Sequence, residues 1–147
     1  MPSTHLSLHY HLVFSTKDRV ASIATDVRPR LHAYRGGIVR QIGAVPLEIG
    51  GTADHVHAVV GLKATHSVAD VLRTMKGDSS KWMHQEHLVK FSWQEGYGAF
   101  TVSRSNVEAV RQYVRNQETH HRTRSFQEEY LEFLQKHEIE FDERYLW

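Results

Sequence analysis

The chain contains no cysteine. Disulfides and thiolate metal sites are therefore excluded, and a cytoplasmic setting is expected. No apolar run is long enough to span a bilayer, and no signal peptide is recognisable, so no membrane partner is expected. Net charge at pH 7 is only +1 over 147 residues, so any nucleic-acid binding has to come from local patches. A Walker-type phosphate loop is also missing, which argues against ATP-driven chemistry. Neither an internal repeat nor a linker stands out. With 40% hydrophobic and 24% charged residues, the composition is that of one soluble domain spanning residues 1–147.

Histidine is plentiful by contrast, with twelve in the chain. Most must be solvent-facing or packing residues, so spacing has to select any ligands. His55 and His57 flank Val56 at the start of an apolar run that reads as a strand. Side chains two apart in a strand share a face, with Cα atoms roughly 6.5 Å apart. Two imidazoles so placed can converge on one cation at about 2.0–2.1 Å each. His9 and His11 have the same spacing, and spacing alone does not separate the pairs. A polar strand face with histidines bonded to neighbours is the plainer alternative for both. Asp54 can orient the second pair through the far ring nitrogen, or simply sit in a turn.

The rest of the chain supplies a frame for the pair. His5 to Thr16 reads as a strand, and Val27, Leu31, Tyr34, Ile38 and Ile42 recur at helical spacing. Gly36 and Gly37 interrupt that helix, which suggests a close packing contact. Val45–Ile49 and Val56–Leu62 read as antiparallel strands joined near Gly50 and Gly51. A helix follows from about Ser67 to His87, with Gly77 as a place to bend, and then a strand from Tyr97 to Ser103. Ser105 and Glu108 form a capping-box pattern for a helix running to about His121. Ser125 and Glu128 repeat it for a last helix carrying Phe126, Tyr130, Phe133 and Leu134. The tail from Glu138 to Trp147 carries aromatics that suggest docking on a surface.

The order β-α-β-β-α-β predicts an α+β, ferredoxin-like antiparallel sheet with helices on one face, plus C-terminal helices. His55 and His57 belong on its open face if Val56 and Ala58 point toward the helices. On the helix from Ser105, Val107, Val110 and Val114 form the core stripe. Tyr113, Gln117 and Asn106 lie beside it within about 40° of one another, with His120 a little further round. Tyr113 is either a half-buried core tyrosine or a reactive group at the border with solvent. Arg111, Arg115 and Arg122, interspersed with Glu118, read as a solvated and partly paired face. Lys17, Arg19, Lys63, Lys76, Lys81 and Arg104 are scattered in sequence but can gather as phosphate contacts.

Several collinear stretches resemble a known family. They are Tyr10-His11-Leu12-Val13-Phe14, Asp54-His55-Val56-His57, Gly96-Tyr97-Gly98-Ala99-Phe100 and Tyr113-Val114-Arg115-Asn116-Gln117, with the ending Asp142 to Trp147. Together they resemble the IS200/IS605-like (Y1) transposases of the HUH single-strand nuclease superfamily. The branch associated with repetitive extragenic palindromes has a different stretch after its tyrosine, so Asn116-Gln117-Glu118 favours the mobile-element branch. The resemblance implies metal ligation by His55, His57 and Gln117, not by His9 or His11, and a nucleophilic Tyr113.

It further implies cleavage and rejoining of single-stranded DNA through a 5′-phosphotyrosine, with Mg²⁺ or Mn²⁺ as cofactor. Hairpin-ended DNA is the implied partner, and a homodimer with active sites shared between subunits the implied assembly. A free tyrosine, with pKa about 10, is mostly neutral at pH 7, so the cation or a proton partner such as His120 or a lysine must assist. Lys17, Arg19, Lys76, Lys81 and Arg104 are the expected DNA contacts. Two other classes remain on the residues alone: a non-catalytic single-strand-binding module, and a metal-dependent nuclease that uses water.

Overall fold

The computed structural model describes residues 3–86, 91–121 and 125–142, without the side chains of Glu86 and His120. Its elements are β1 (His9–Ser15), α1 (Arg28–Gln41), β2 (Val45–Gly51), β3 (His55–Gly61), α2 (Val68–Glu86), β4 (Gly98–Val102), α3 (Val107–Arg115), α4 (Gln117–His120) and α5 (Phe126–Lys136). Short 3₁₀ turns at Lys17–Arg19 and Arg104–Asn106 precede α1 and α3. The strands form one sheet in the order β2-β3-β1-β4, and every neighbouring pair is antiparallel. This is the expected α+β, ferredoxin-like arrangement.

Alternation along β1 and β3 divides the molecule into two layers. Leu12, Phe14, Val56, Ala58 and Val60 face α1 and α2, where they meet Leu31, Ile38, Val39, Val71, Leu72 and Met75. Their alternates point the other way. Val13 there joins Phe100, Phe126, Tyr130 and Leu134 in a second, smaller cluster. The face expected to be open is therefore covered by α3, α4 and α5, and His55 and His57 are fully buried on it. The larger core also holds Arg35, whose guanidinium stacks over Phe14 and Trp93, 4.6 Å and 4.2 Å from the ring centroids.

Several boundaries differ from the pattern in the sequence. β1 begins at His9 rather than His5, and β4 covers Gly98–Val102 rather than Tyr97–Ser103. Gly77 does not interrupt α2, whose expected end at His87 lies outside the described residues. The expected helix from Ser105 to His121 is two helices, with Asn116 leaving helical geometry between them. Its capping box does not form: the Ser105 hydroxyl pairs with Ser103, and α3 starts after a 3₁₀ turn. At the second box, the N-cap half forms, with the Ser125 hydroxyl accepting from the Glu128 amide at 3.2 Å and donating to the Glu128 carboxylate at 3.2 Å. No close contact explains Gly36 or Gly37. The tight approaches are at Gly50, under α3, at Gly51, where a Cβ would lie 2.3 Å from the His55 carbonyl oxygen, and at Gly98, where a Cβ would lie 2.8 Å from the Tyr130 hydroxyl. In the tail, Ile139 and Phe141 are exposed, and the residues from 143 onward lie outside the described set. None of the helices among the described residues is long and apolar enough to cross a membrane.

Candidate active site and metal centre

The pairing of β1 with β3 sets the site. His57 stands opposite Val13 and His55 opposite Ser15, on the face covered by the C-terminal helices. α3 lies across β2 and β3. Val107 and Val114 anchor its apolar stripe, which leaves half-buried Tyr113 facing the sheet and brings Gln117, at the start of α4, fully inside. α5 closes the space, its orientation fixed by Phe126, Tyr130 and Leu134 in the smaller cluster.

Within this space the Nε2 of His55 is 3.0 Å from the Gln117 oxygen. The Nε2 of His57 is 2.8 Å from Glu129 Oε1. The other Glu129 oxygen accepts a hydrogen bond from the Tyr113 hydroxyl and lies 3.2 Å from His121 Nε2. Gln117 donates weakly to the same carboxylate at 3.3 Å, and its oxygen accepts from His121 at 3.0 Å. Ligand atoms of His55, His57, His121 and Glu129 all lie within 4.8 Å of one another.

The outer partners set the tautomers. His55 donates its Nδ1 proton to Asp54 at 2.7 Å, and Asp54 also accepts from Thr52. Burial alone would raise the Asp54 pKa, but the bonds from His55 and Thr52 hold it below the usual range. With that proton on Nδ1, His55 turns a lone pair toward the Gln117 oxygen. Two acceptors 3.0 Å apart repel unless a proton or cation lies between them. The spacing matches two adjacent ligands on one cation, about 3.0 Å for bonds of about 2.1 Å at a right angle. His57 Nδ1 is 2.7 Å from His11 Nε2, and the two rings stack. Burial lowers the His57 pKa to about 4, against the opposing pull of Glu129, and holds His11 well below its ordinary value. Both rings are therefore neutral at pH 7, the form a metal requires. Glu129 would be raised by burial, yet hydrogen bonds from His121, His57 and Tyr113 keep its carboxyl well below the carboxylate range. Two or three imidazoles, an amide oxygen and a carboxylate suit a divalent cation.

His55, His57, Tyr113 and Gln117 thus meet in one place, as the family resemblance implied. His9 lies outside it, but His11 is not a bystander, since it orients His57. His121 and not His120 is the described side chain in the cluster; the His120 side chain lies outside the described set. Glu129 was hidden in the sequence by its neighbours. Its signal is a carboxylate set within the helical apolar stripe of Phe126, Tyr130 and Phe133.

The expected DNA contacts do not form one patch. Lys17 and Arg19 follow the Ser15 end of β1, whereas Arg104 follows Val102, which pairs with His9 at the other end. Seven strand residues, roughly 20 Å, separate the two ends. Lys81 is exposed on α2. Lys76 is engaged inside the protein, its ammonium donating to the carbonyls of Gln94, Glu95 and Gly96 at 2.6, 3.3 and 3.1 Å. Arg111 and Arg115 pair with Glu48, and Arg28 reaches Glu118, so these residues are partly paired as expected, while Arg122 lies outside the described residues. A cavity of about 390 Å³ opens on Tyr113 and Glu129, walled by Phe100, Val110 and Phe133 with Lys136 and His137 among its lining.

The family model of the IS200-like transposases matches residues 4–117. The chain belongs to the IS200-like transposase family. This transposase is 25% identical over 117 residues to the ISDra2 transposase TnpA of Deinococcus radiodurans, covering 75% of its own length and 84% of that relative. A crystal structure of a Deinococcus radiodurans R1 protein assigned as a transposase superposes with a TM-score of 0.64 at 26% identity, over 80% of this chain and 95% of that one. The REP-associated tyrosine transposase, solved bound to a REP hairpin, shares the fold with a TM-score of 0.61 at 11% identity, over 82% of this chain and 73% of that one. The family match ends at Gln117, so His121 and Glu129 of this transposase lie beyond it.

Proposed function

We propose that the chain cleaves and rejoins single-stranded DNA at mobile-element ends, with Tyr113 as nucleophile. The observation that carries this reading is the convergence of the Tyr113 hydroxyl, His55, His57 and Gln117 in one buried cluster of an IS200-like transposase. The Tyr113 oxygen would attack the scissile phosphorus as it loses its proton, and the bond from phosphorus to the 3′-oxygen would break. The products are a 5′-phosphotyrosine and a free 3′-hydroxyl. A second 3′-hydroxyl then attacks the phosphotyrosine, releases Tyr113 and rejoins the strand. Two isoenergetic exchanges of this kind need no ATP.

His55, His57 and Gln117 would hold a divalent cation, Mg²⁺ or Mn²⁺. When bound, such an ion polarises and orients a phosphate. Asp54 and His11 fix the two ring orientations on which ligation depends. The cavity beside Tyr113 offers apolar walls to an unstacked strand. A hairpin-ended DNA partner is supported by the relative bound to a REP hairpin. Sharing of sites in a homodimer, implied by the family resemblance, would require α3 of one chain to replace the partner's α3. A single chain here already brings Tyr113 beside its own Glu129 and His57.

A non-catalytic binding module would need aromatics displayed on the sheet for bases to stack upon. Phe100 is buried and both sheet faces are covered, which disfavours that reading. A water-using nuclease is separated by the intermediate. Labelled single-stranded oligonucleotides from the flanks of the coding region should yield a denaturation-resistant protein–DNA adduct with Mn²⁺. The adduct should be lost in Tyr113→Phe. Cleavage without an adduct, or an adduct retained by Tyr113→Phe, would overturn the mechanism.

A further inference from the structure

Glu129 is a carboxylate, 3% exposed, at the centre of the cluster. Burying an ionised carboxylate costs several kcal/mol unless a positive charge or strong donors compensate. Among the described residues its contacts are His55, His57, His121, Gln117 and Tyr113, with no lysine or arginine. Imidazoles whose ring nitrogens aim at a carboxylate are an assembly that a divalent cation completes. Oε1 lies 2.8 Å from His57 Nε2 and 3.8 Å from His55 Nε2. These separations bracket the roughly 3.0–3.4 Å between adjacent ligand atoms on one cation with bonds near 2.1 Å.

We propose that Glu129 is a ligand of the same cation as His55 and His57, binding it through Oε1 while Oε2 holds the Tyr113 hydroxyl beside it. This rests on the metal reading above and extends it. His55, His57 and Gln117 form a neutral donor set, to which Glu129 adds a negative charge and a hard oxygen, favouring Mn²⁺ and Mg²⁺. It also makes α5, outside the matched family stretch, part of the metal centre. The nucleophile and the cation are then tied through one side chain.

The test is Mn²⁺ binding without DNA, followed by the loss of the free-ion electron paramagnetic resonance signal. The full chain and Glu129→Gln, a near-isosteric neutral variant, are titrated side by side, with circular dichroism to check folding. Glu129→Gln should bind at least about tenfold more weakly. Equal binding would overturn the assignment. So would tighter binding, because it would mean that the carboxylate blocks the cation. If wild type binds no Mn²⁺, the metal reading falls and this inference with it; if both bind equally, only the role of Glu129 falls. A crystal structure of the wild-type chain with Mn²⁺ does not depend on the variant folding. A Glu129 oxygen within about 2.3 Å of the ion supports the proposal, and a carboxylate beyond bonding distance refutes it.

Discussion

Gly50 pairs with His57 across the β2–β3 ladder and lies directly beneath Val114 of α3. A Cβ at Gly50 would stand 2.4 Å from the Val114 carbonyl oxygen, a rigid backbone atom. The helix that carries Tyr113 can approach the histidine strand only because this side chain is missing. Gly50→Ala should therefore lift α3 and cost about 1–3 kcal/mol of stability, read as a lower melting temperature. Adduct formation should fall as Tyr113 withdraws from the cluster. Gly37→Ala is the contrasting variant. Nothing lies within 4 Å of its added Cβ, so helix propensity should raise stability by up to about 1 kcal/mol and leave cleavage unchanged.

The two histidine pairs should separate in metal binding. His55→Ala removes a proposed ligand and should abolish measurable Mn²⁺ affinity. His9→Ala should leave it unchanged. His11→Ala should weaken it about 10–100-fold, because the hydrogen bond that sets the His57 ring is lost. Calorimetric titration of the three variants checks the order, and a His9→Ala defect as large as that of His55→Ala would contradict the assignment.

Whether sites are exchanged between subunits can be read by complementation. Inactive His57→Ala and inactive Tyr113→Phe chains are mixed, subunit exchange is verified, and cleavage is measured. A site contained within one chain, as the position of Tyr113 beside its own Glu129 and His57 would allow, gives no recovery. Recovered cleavage would show that a site combines the histidine strand of one chain with the Tyr113 helix of another, as the family resemblance implies.

His32 gives a pH dependence outside the candidate site. Both its ring nitrogens are buried without a hydrogen-bond partner among the described residues. Burial, then Arg35 and Arg28, lower its pKa to about 3. The unfolded chain therefore takes up a proton near pH 6.5 that the folded chain refuses. Stability from this group is full above pH 6.5 and falls as pH drops toward 3, by about 1–2 kcal/mol between pH 6.5 and 5. His32→Leu should flatten the melting temperature across that range, and an unchanged slope would refute the assignment.

The strand and helix order could be read from the chain because alternation in β1 and β3 and the apolar period in α1 and α2 are strong. The spacings of His55 with His57 and of Tyr113 with Gln117 are local and visible in the chain, but His9 and His11 share the first of them, so it was the family resemblance that singled out these four residues. Glu129 could not be read from the chain, since it reaches the cluster only through the packing of α5 on Val13 and Phe100. His11 had the right spacing, but its role depends on its contact with His57 on the neighbouring strand. Lys76 looked like a phosphate contact because a sequence does not show that three carbonyls will surround its ammonium. The Ser105 capping box failed against a 3₁₀ turn for which the pattern carries no marker.

The unequal sizes of the two apolar clusters have a dynamic consequence. α1 and α2 are bound to the sheet by the larger one, while α5 rests on the small group around Val13, Phe100 and Leu134. Local opening free energies follow the apolar surface an element buries, so α5 should detach well before the sheet unfolds. Amide hydrogens of α5 should then exchange faster than those of α1, and a bound divalent ion held partly by Glu129 should slow them selectively. The covered face of the sheet would thus be exposed by small fluctuations, at little risk to the core on the other side.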